Sequence, residues 1–433
     1  MVLFGLVFLL VSLVIGVPVP FSFLLTAMYF LLTGDYEPTF MMPYGIKNLS
    51  NTVIFSIPLF IMAGKLMERG NIAEQLIGLV EGTVGRIKGG LGVVATVSCA
   101  VFGSVSGSAA ATLTCIGGIM FPRLKKASYP RGHSAALLAN ACVLGMLIPP
   151  SGIMILYSWV GGQSVLASFL ATVVPGVLLT ALFSIINCLL LRKNKDIYVP
   201  PMLPAEQRTM QKKLLKIWVA MPAIFMPVIV LGGIYSGIMT PTEAAAVAVM
   251  YAIPVGIFIY KGLTLQAIKE TLKDSGMATG TIMLMMLGCS ILARMFVEED
   301  LPGQILNFLY SISTNKYAIL FMLNIFMVIL GMLVDDTSAV LLATPIMIPI
   351  IREIGVSPVH FAAIVAVNSG MGNVTPPCAP LLYLSATISG TPVNETLKTT
   401  WWFLLFGWLP VLVLTTYVPE LSMWLPKLVL GIR

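Results

Sequence analysis

Three observations predict an all-α polytopic membrane protein, built as an inverted structural repeat with two re-entrant helical hairpins and two broken helices. The first is composition. Hydrophobic residues make up 58% of the 433 and charged residues only 10%, against about 25% charged in an ordinary soluble domain. The second is self-similarity of the chain at an offset of 227 residues. The third is a pair of diprolines, in MLIPPSG (146–152) and NVTPPCA (373–379), each deep in an apolar run. An unbroken membrane helix has no place for either, because proline lacks the N–H and disturbs the carbonyls behind it.

Mean hydropathy is +0.96. The runs Leu3–Leu32, Leu166–Leu191, Ile217–Tyr235 and Trp401–Val418 approach the roughly 20 residues that span a bilayer. No basic stretch or cleavage site marks the N-terminus as a removable signal, so it reads as the first span. The six cysteines are scattered through apolar segments with no C-x-x-C pair. They imply neither a disulfide framework nor a zinc site and read as packing residues. The net charge of +7 lies mostly in loops, where it reports orientation in a lipid bilayer rather than nucleic-acid binding.

At the offset of 227, His133 falls on His360, Gly145 on Gly372, Pro149–Pro150 on Pro376–Pro377 and Ser158 on Ser385. The only two histidines are therefore repeat partners. A two-residue shift carries the register back, matching Lys65 with Arg294 and Gln75–Leu76 with Gln304–Ile305. The first copy covers 1–191, with scaffold helices at 1–68 and 165–191 and a hairpin plus broken helix at 88–160. Its spans read as 3–33, 50–68, 134–160 and 165–191. Residues 192–240 form a basic loop and one linking span. The second copy covers 241–433, with its hairpin and broken helix at 317–388. Four crossings plus the linking span turn the second copy upside down, an arrangement met in secondary transporters. The link 192–216 carries seven Lys/Arg against two acids, and 122–131 carries four with none. Both should be cytoplasmic. On this count the N-terminus is cytoplasmic and the C-terminus outside.

In VFGSVSGSAAAT (101–112) the flanking apolar arms are too short for a comfortable crossing. Both ends carry basic residues, so the segment enters and leaves from the cytoplasmic side with its tip at Gly103–Ser108. The partner hairpin, 317–350, has its tip at Val334–Ser338. Bare backbone at membrane depth is tolerated only inside protein or beside a watery cavity. Freed carbonyls with Ser/Thr hydroxyls make a hard-oxygen cage that suits Na⁺, and half-helix N-termini suit an anion. Two tips each meeting a broken helix would give two related ion sites beside a substrate site. Structural readings stand alongside: a proline kink, a small-residue packing face, Asp335–Asp336 as a helix cap, interfacial structural histidines, and snorkelling Lys65 and Arg294.

MTPTEAAA (239–246), with its capping box and Pro at N1, together with SVSGSAAAT, the PPS and PPCAP breaks and the opening GVPVPFS, resembles the large membrane subunit of TRAP (tripartite ATP-independent periplasmic) transporters over essentially the whole chain. The resemblance implies a Na⁺-driven, elevator-type transporter of the bacterial inner membrane, similar to the ion-transporter superfamily, with no cofactor beyond the coupling Na⁺. It implies a separate small four-helix membrane subunit and a periplasmic substrate-binding protein that delivers an organic acid of the C4-dicarboxylate or sialic acid class. Carried onto this chain, one Na⁺ site comprises Ser104, Ser106 and Ser108 with backbone near Gly145, Ile148 and Pro149. The other comprises Asp336, Thr337 and Ser338 with backbone near Gly370, Gly372 and Thr375. The anion lies near Gly107, Ser151, Asn373, Pro150 and Pro377. Three rivals stay open: a Na⁺–carboxylate carrier independent of a binding protein, a passive channel, and an intramembrane serine hydrolase using Ser106 and His133.

Overall fold

A computed structural model describes residues 2–34, 36–37, 39, 41–84, 87–194, 196–197 and 210–431. Asp35, Arg86 and most of the basic link lie outside the described residues. Among those described every regular element is helical.

The chain starts with α1 (Val2–Val14) and α2 (Val19–Thr33) where one span was expected. Gly16 at φ +91° and Pro18 before α2 turn the chain back. The two helices run antiparallel, with Gly5 against the Phe30 ring and Phe8 stacked on Tyr29. Val2 and Thr33 therefore lie at the same end. A bent pair follows, α3 (Met41–Leu49) and α4 (Ser56–Arg69), angled 59° at a turn that Asn51 caps. After α5 (Ile72–Val84) comes the first hairpin, α6 (Gly90–Ser106) and α7 (Ala109–Lys126), joined only by Gly107 and Ser108. The first broken helix is α8 (Arg131–Ala141), α9 (Leu144–Leu147) and α10 (Gly152–Gly161), bent by 44°. The first copy ends with α11 (Val165–Leu191).

The second copy repeats the order. It has α12 (Met210–Tyr235), α13 (Pro241–Pro254, continued to Ile259), α14 (Leu265–Glu298) and α15 (Leu301–Ile312). Its hairpin is α16 (Lys316–Leu333) and α17 (Asp336–Glu353), and its broken helix is α18 (Pro358–Gly372) and α19 (Pro380–Ser389). The chain closes with α20 (Val393–Phe403), α21 (Leu409–Tyr417) and α22 (Pro419–Leu430). The predicted capping box starts α13: the Thr240 hydroxyl accepts from the Glu243 N–H (3.3 Å), and the Glu243 carboxylate accepts from the Thr240 N–H (2.7 Å).

Packing follows the repeat. Helix α2 lies along α14 as α13 lies along α4, and α12 packs on α13 as α1 packs on α2. The span read as an extra link is thus the counterpart of α1, so the second copy includes it. Arg69 at the end of α4 donates to the Ala267 carbonyl (3.0 Å), the Thr271 hydroxyl (3.2 Å) and Asp274 (2.9 Å) of α14. At the opposite end the Tyr36 hydroxyl donates to Glu299 (2.6 Å). Burial and the Glu299 carboxylate push the Tyr36 phenol up. The histidines hold the broken helices at their starts. His133 Nε2 pairs with Asn187 Oδ1 (2.9 Å) on α11, and His360 Nδ1 pairs with the Ser422 hydroxyl (2.6 Å) on α22.

Each hairpin crosses its broken helix through a glycine pair. A Cβ on Gly103 would lie 2.2 Å from Gly145 Cα, and one on Gly372 would lie 2.6 Å from the Gly331 carbonyl carbon. Backbone cannot step aside for them as a flexible side chain could. Gly118, by contrast, has nothing within 4 Å. Gly103→Ala and Gly372→Ala should each lower the thermal unfolding midpoint in detergent, at a cost of about 1–3 kcal/mol from overpacking. Gly118→Ala should leave it unchanged or raised, because alanine is the better helix former.

Candidate functional site

The first tip is built from α6 running into a left-handed residue. Gly107, at φ +61°, ends α6 and donates its N–H to the Gly103 carbonyl (2.9 Å). Ser108 then caps α7, its hydroxyl accepting from the Ala111 N–H (3.4 Å). One turn on, the Thr112 hydroxyl donates to the Ser108 carbonyl (2.8 Å) and lies 3.0 Å from the Ser106 hydroxyl. Gly145 faces this cluster: a Cβ there would be 2.7 Å from Thr112 Oγ1 and 3.4 Å from the Ser108 carbonyl oxygen. Ser106, Ser108, Thr112 and Gly145 therefore converge. Ser104 does not join through its hydroxyl, which donates to the Val101 carbonyl of its own helix (2.7 Å). Thr112 was absent from the sequence-derived set. Its signal was its place four residues after the capping Ser108, where a Thr hydroxyl bonds back to the i−4 carbonyl.

The first break lies directly beneath. Ile148 ends α9, Pro149–Pro150 is cis, and Ser151 caps α10 with its hydroxyl toward the Met154 N–H (3.5 Å). The Gly152 N–H donates to the Gly107 carbonyl (3.2 Å), which ties break to tip. Pro149 and Pro150 offer no N–H to the Gly145 and Met146 carbonyls a turn behind.

The second tip uses a carboxylate instead. Asp335 caps α17, accepting from the Thr337 and Ser338 N–H groups (3.1 and 3.2 Å) and from the Ser338 hydroxyl. Asp336, next in line, accepts from the Thr337 N–H (2.9 Å). The capping reading thus applies to Asp335, while Asp336 opens the helix. The Ser338 hydroxyl sits between Asp335 and Met285 Sδ of α14. The Thr375 hydroxyl donates to the Met371 carbonyl (2.6 Å). Gly372 meets Gly331 of the hairpin, whereas Gly370 faces Val143 and the Trp408 ring. The second break, Pro376–Pro377, is also cis, and the Pro377 carbonyl accepts from the Tyr383 hydroxyl (3.3 Å).

The two halves interlock around the breaks. Asn373 Nδ2 lies 3.8 Å from Met146 Sδ. These residues are partners at the offset of 227, and a residue that touches its own counterpart marks the pseudo-twofold axis. Away from the axis, the Tyr157 hydroxyl of α10 donates to the Pro358 carbonyl (2.7 Å), and the Ser385 hydroxyl of α19 donates to the Ala135 carbonyl (2.7 Å). Helix α10 packs on α17 as α19 packs on α7. Each broken helix spends its second half in the other repeat. Of the residues expected near the anion, Gly107, Pro150, Ser151 and Asn373 are buried, whereas Pro377 is exposed. The serine-hydrolase pair is not assembled: the partners of Ser106 are Thr112 and the Ser108 carbonyl, while those of His133 are Asn187 and the rings of Tyr129 and Phe403.

Residues 6–421 match the family described as "Tripartite ATP-independent periplasmic transporter, DctM component". The chain is 33% identical over 376 residues to the C4-dicarboxylate TRAP transporter large permease protein DctM of Pseudomonas aeruginosa, covering 86% of each. It is 32% identical over 424 residues to the sialic acid TRAP transporter large permease protein SiaM of Vibrio cholerae, covering 96% of each. Its fold is similar to that of the Alcanivorax borkumensis YdaH transporter, with a TM-score of 0.62 at 13% identity, covering 94% of this chain and 98% of that one.

The capping role of Asp335 should show in stability. Asp335→Ala should lower the unfolding midpoint by an amount equivalent to about 1 kcal/mol, the usual loss for an N-cap. Asp335→Asn should retain nearly all of it, because asparagine caps as well. Differential scanning fluorimetry on the purified variants reads this directly.

Proposed function

Since the chain belongs to the DctM-component family of tripartite ATP-independent periplasmic transporters, we propose that it couples inward movement of Na⁺ to uptake of an organic acid anion, carrying both on one moving body. That body comprises the two hairpins and the two broken helices. The scaffold it moves against is the α2, α4, α13 and α14 group. The relatives named for C4-dicarboxylate and for sialic acid support an anion of one of those two classes. A separate small membrane subunit and a periplasmic binding protein complete the assembly in the bacterial inner membrane.

The convergence of Ser106, Thr112, the Ser108 carbonyl and Gly145 is the observation that carries this reading. Neutral hard oxygens around one point favour a hard cation such as Na⁺. At the second tip the corresponding residues are Asp336 and Thr337, with backbone near Gly372 and Thr375, and Asp336 adds a carboxyl group. No Lys or Arg stands at either tip. Helices α7, α10, α17 and α19 all begin at a tip or a break, so their N-terminal N–H groups supply the positive field an anion needs. Na⁺ beside that anion raises its affinity by charge compensation, and by reciprocity the anion raises that of Na⁺.

Orientation follows from charge. The basic link and Arg123, Lys125 and Lys126 belong on the cytoplasmic side. With α1 and α2 forming an antiparallel pair, that assignment takes the N-terminus to the periplasmic side together with the C-terminus. This replaces the cytoplasmic N-terminus of the one-span reading.

In proteoliposomes holding both membrane subunits and supplied with a loaded binding protein, Ser106→Ala and Thr112→Val should each raise the Na⁺ concentration for half-maximal uptake about tenfold, the equivalent of ~1.4 kcal/mol of lost coordination. Asp336→Asn should abolish the Na⁺ response. Equal uptake by the unmodified protein in Na⁺-free buffer at clamped voltage would remove the coupling.

A further inference from the structure

Glycines of the outer helices α1–α4 and α12–α14 mostly face open space or other outer helices. Gly5 meets the Phe30 ring, Gly45 meets Leu287 and Gly288 meets Phe23. Among the described residues, Gly64 of α4 is the one whose neighbours belong to a hairpin. A Cβ there would lie 2.8 Å from Ser106 Cβ and 2.9 Å from Ser106 Cα, on the first tip. Both residues are buried. The Ser106–Thr112 pair therefore has a glycine against each member. Gly145 of α9 stands against Thr112, and Gly64 stands against Ser106. The first belongs to the broken helix that the tip covers. The second comes from the scaffold.

An overlap at Gly64 would be relieved at the tip. Helix α4 packs along both α13 and α14. Beside the glycine, Lys65 lies 3.6 Å from Asp274, and Arg69 lies 2.9 Å from the same carboxylate. The tip is a turn of two residues, Gly107 and Ser108, that begins directly after Ser106. Of the two sides, the turn is the easier to displace.

The other half shows that the glycine is no general need of a scaffold helix. In the register that pairs Lys65 with Arg294, the counterpart of Gly64 is Ala293. There α14 meets the second hairpin through side chains. The Ser338 hydroxyl donates to Met285 Sδ (3.3 Å), and Cys289 Sγ donates to the Leu341 carbonyl (3.1 Å). Alanine is also the better helix former. Glycine at 64 thus runs against helix propensity and serves the contact with Ser106.

We propose that Gly64 is a positioning residue for the first cation site. By letting α4 close on the backbone of Ser106, it keeps the Ser106 hydroxyl beside Thr112. The inference rests on the Na⁺ reading above and adds a part for the scaffold. Helix α4 supplies no ligand, yet seating the tip on it and filling the site favour one another, by the reciprocity of linked equilibria. The position of the moving body and its hold on the cation are joined at this contact.

The test uses proteoliposomes holding both membrane subunits and a loaded binding protein. Gly64→Ala should raise the Na⁺ concentration for half-maximal uptake about tenfold, as loss of the Ser106 hydroxyl itself does. The rate at saturating Na⁺ should stay close to that of the unmodified protein. In a Ser106→Ala background Gly64→Ala should add no further shift, because no hydroxyl is left to position. Gly78→Ala, where a Cβ meets nothing within 4 Å, should match the unmodified protein. If Gly64→Ala does not fold, Ser106→Thr keeps the hydroxyl and crowds the same contact from the hairpin side, and it should raise the Na⁺ requirement as well. An unshifted Na⁺ curve, a lower maximal rate at an unchanged half-maximal concentration, or additive shifts in the double variant would overturn the proposal. In those cases the unmodified protein still responds to Na⁺, so the proposal fails alone. Absence of any Na⁺ response in the unmodified protein would remove both the proposal and the reading beneath it.

Discussion

An interrupted helix at membrane depth cannot leave its backbone to lipid, since each unpaired N–H or carbonyl in hydrocarbon costs several kcal/mol. The rest of this architecture follows from that constraint. Each break needs a cover, and at the first break the hairpin tip supplies it: the Gly107 carbonyl accepts the first N–H group of α10. The tip is itself two helix ends in need of cover, and the break supplies that. Such mutual cover works only at backbone distance, which is why glycines stand where α6 crosses α9 and α16 crosses α18.

Mutual cover within one repeat would still leave the second half of each broken helix exposed. The chain places α10 against α17 and α19 against α7, so each repeat finishes the other. Side chains fasten the exchange, through Tyr157 to Pro358, Ser385 to Ala135, and the Trp408 indole to Asn140 (2.9 Å). The outer helices are joined differently, by an ion pair at one end, Arg69 with Asp274, and by a phenol-to-carboxylate hydrogen bond at the other, Tyr36 to Glu299. Polar backbone at the centre and charge at the periphery would let two bodies hold their shapes separately, as the proposed relative motion requires.

Much of this was legible in the residues. The offset of 227 located both breaks, paired the histidines and placed both hairpins, because proline pairs and histidines are rare enough in an apolar chain to fix a register. The capping box of α13 was readable from four letters. Three features were hidden for physical reasons. Hydropathy averages over a window, so the short Gly16–Pro18 turn vanished into one apolar run and α1 with α2 read as a single span. The kinship of α12 with α1 lies in how each packs on its neighbour, and lipid-facing helices keep little sequence in common. The tip hydroxyls were over-counted: Ser104 and Ser106 are two residues apart on a helix, which puts them on different faces, so only one reaches the cluster. Thr112, on the other arm, takes the vacant place. At the second tip Asp335 caps the helix and Asp336 opens it, a division that only the helix geometry reveals.

On the proposed reading the two interlocked broken helices move as one body. Ala135→Cys with Ser385→Cys joins α8 to α19 across the two repeats at a place where side chain and backbone already touch. The expected result is that oxidising this pair to completion leaves Na⁺-driven uptake at the level of the reduced protein. If the cross-link stopped uptake and reduction restored it, the repeats would have to slide past one another there, and the single moving body would be wrong.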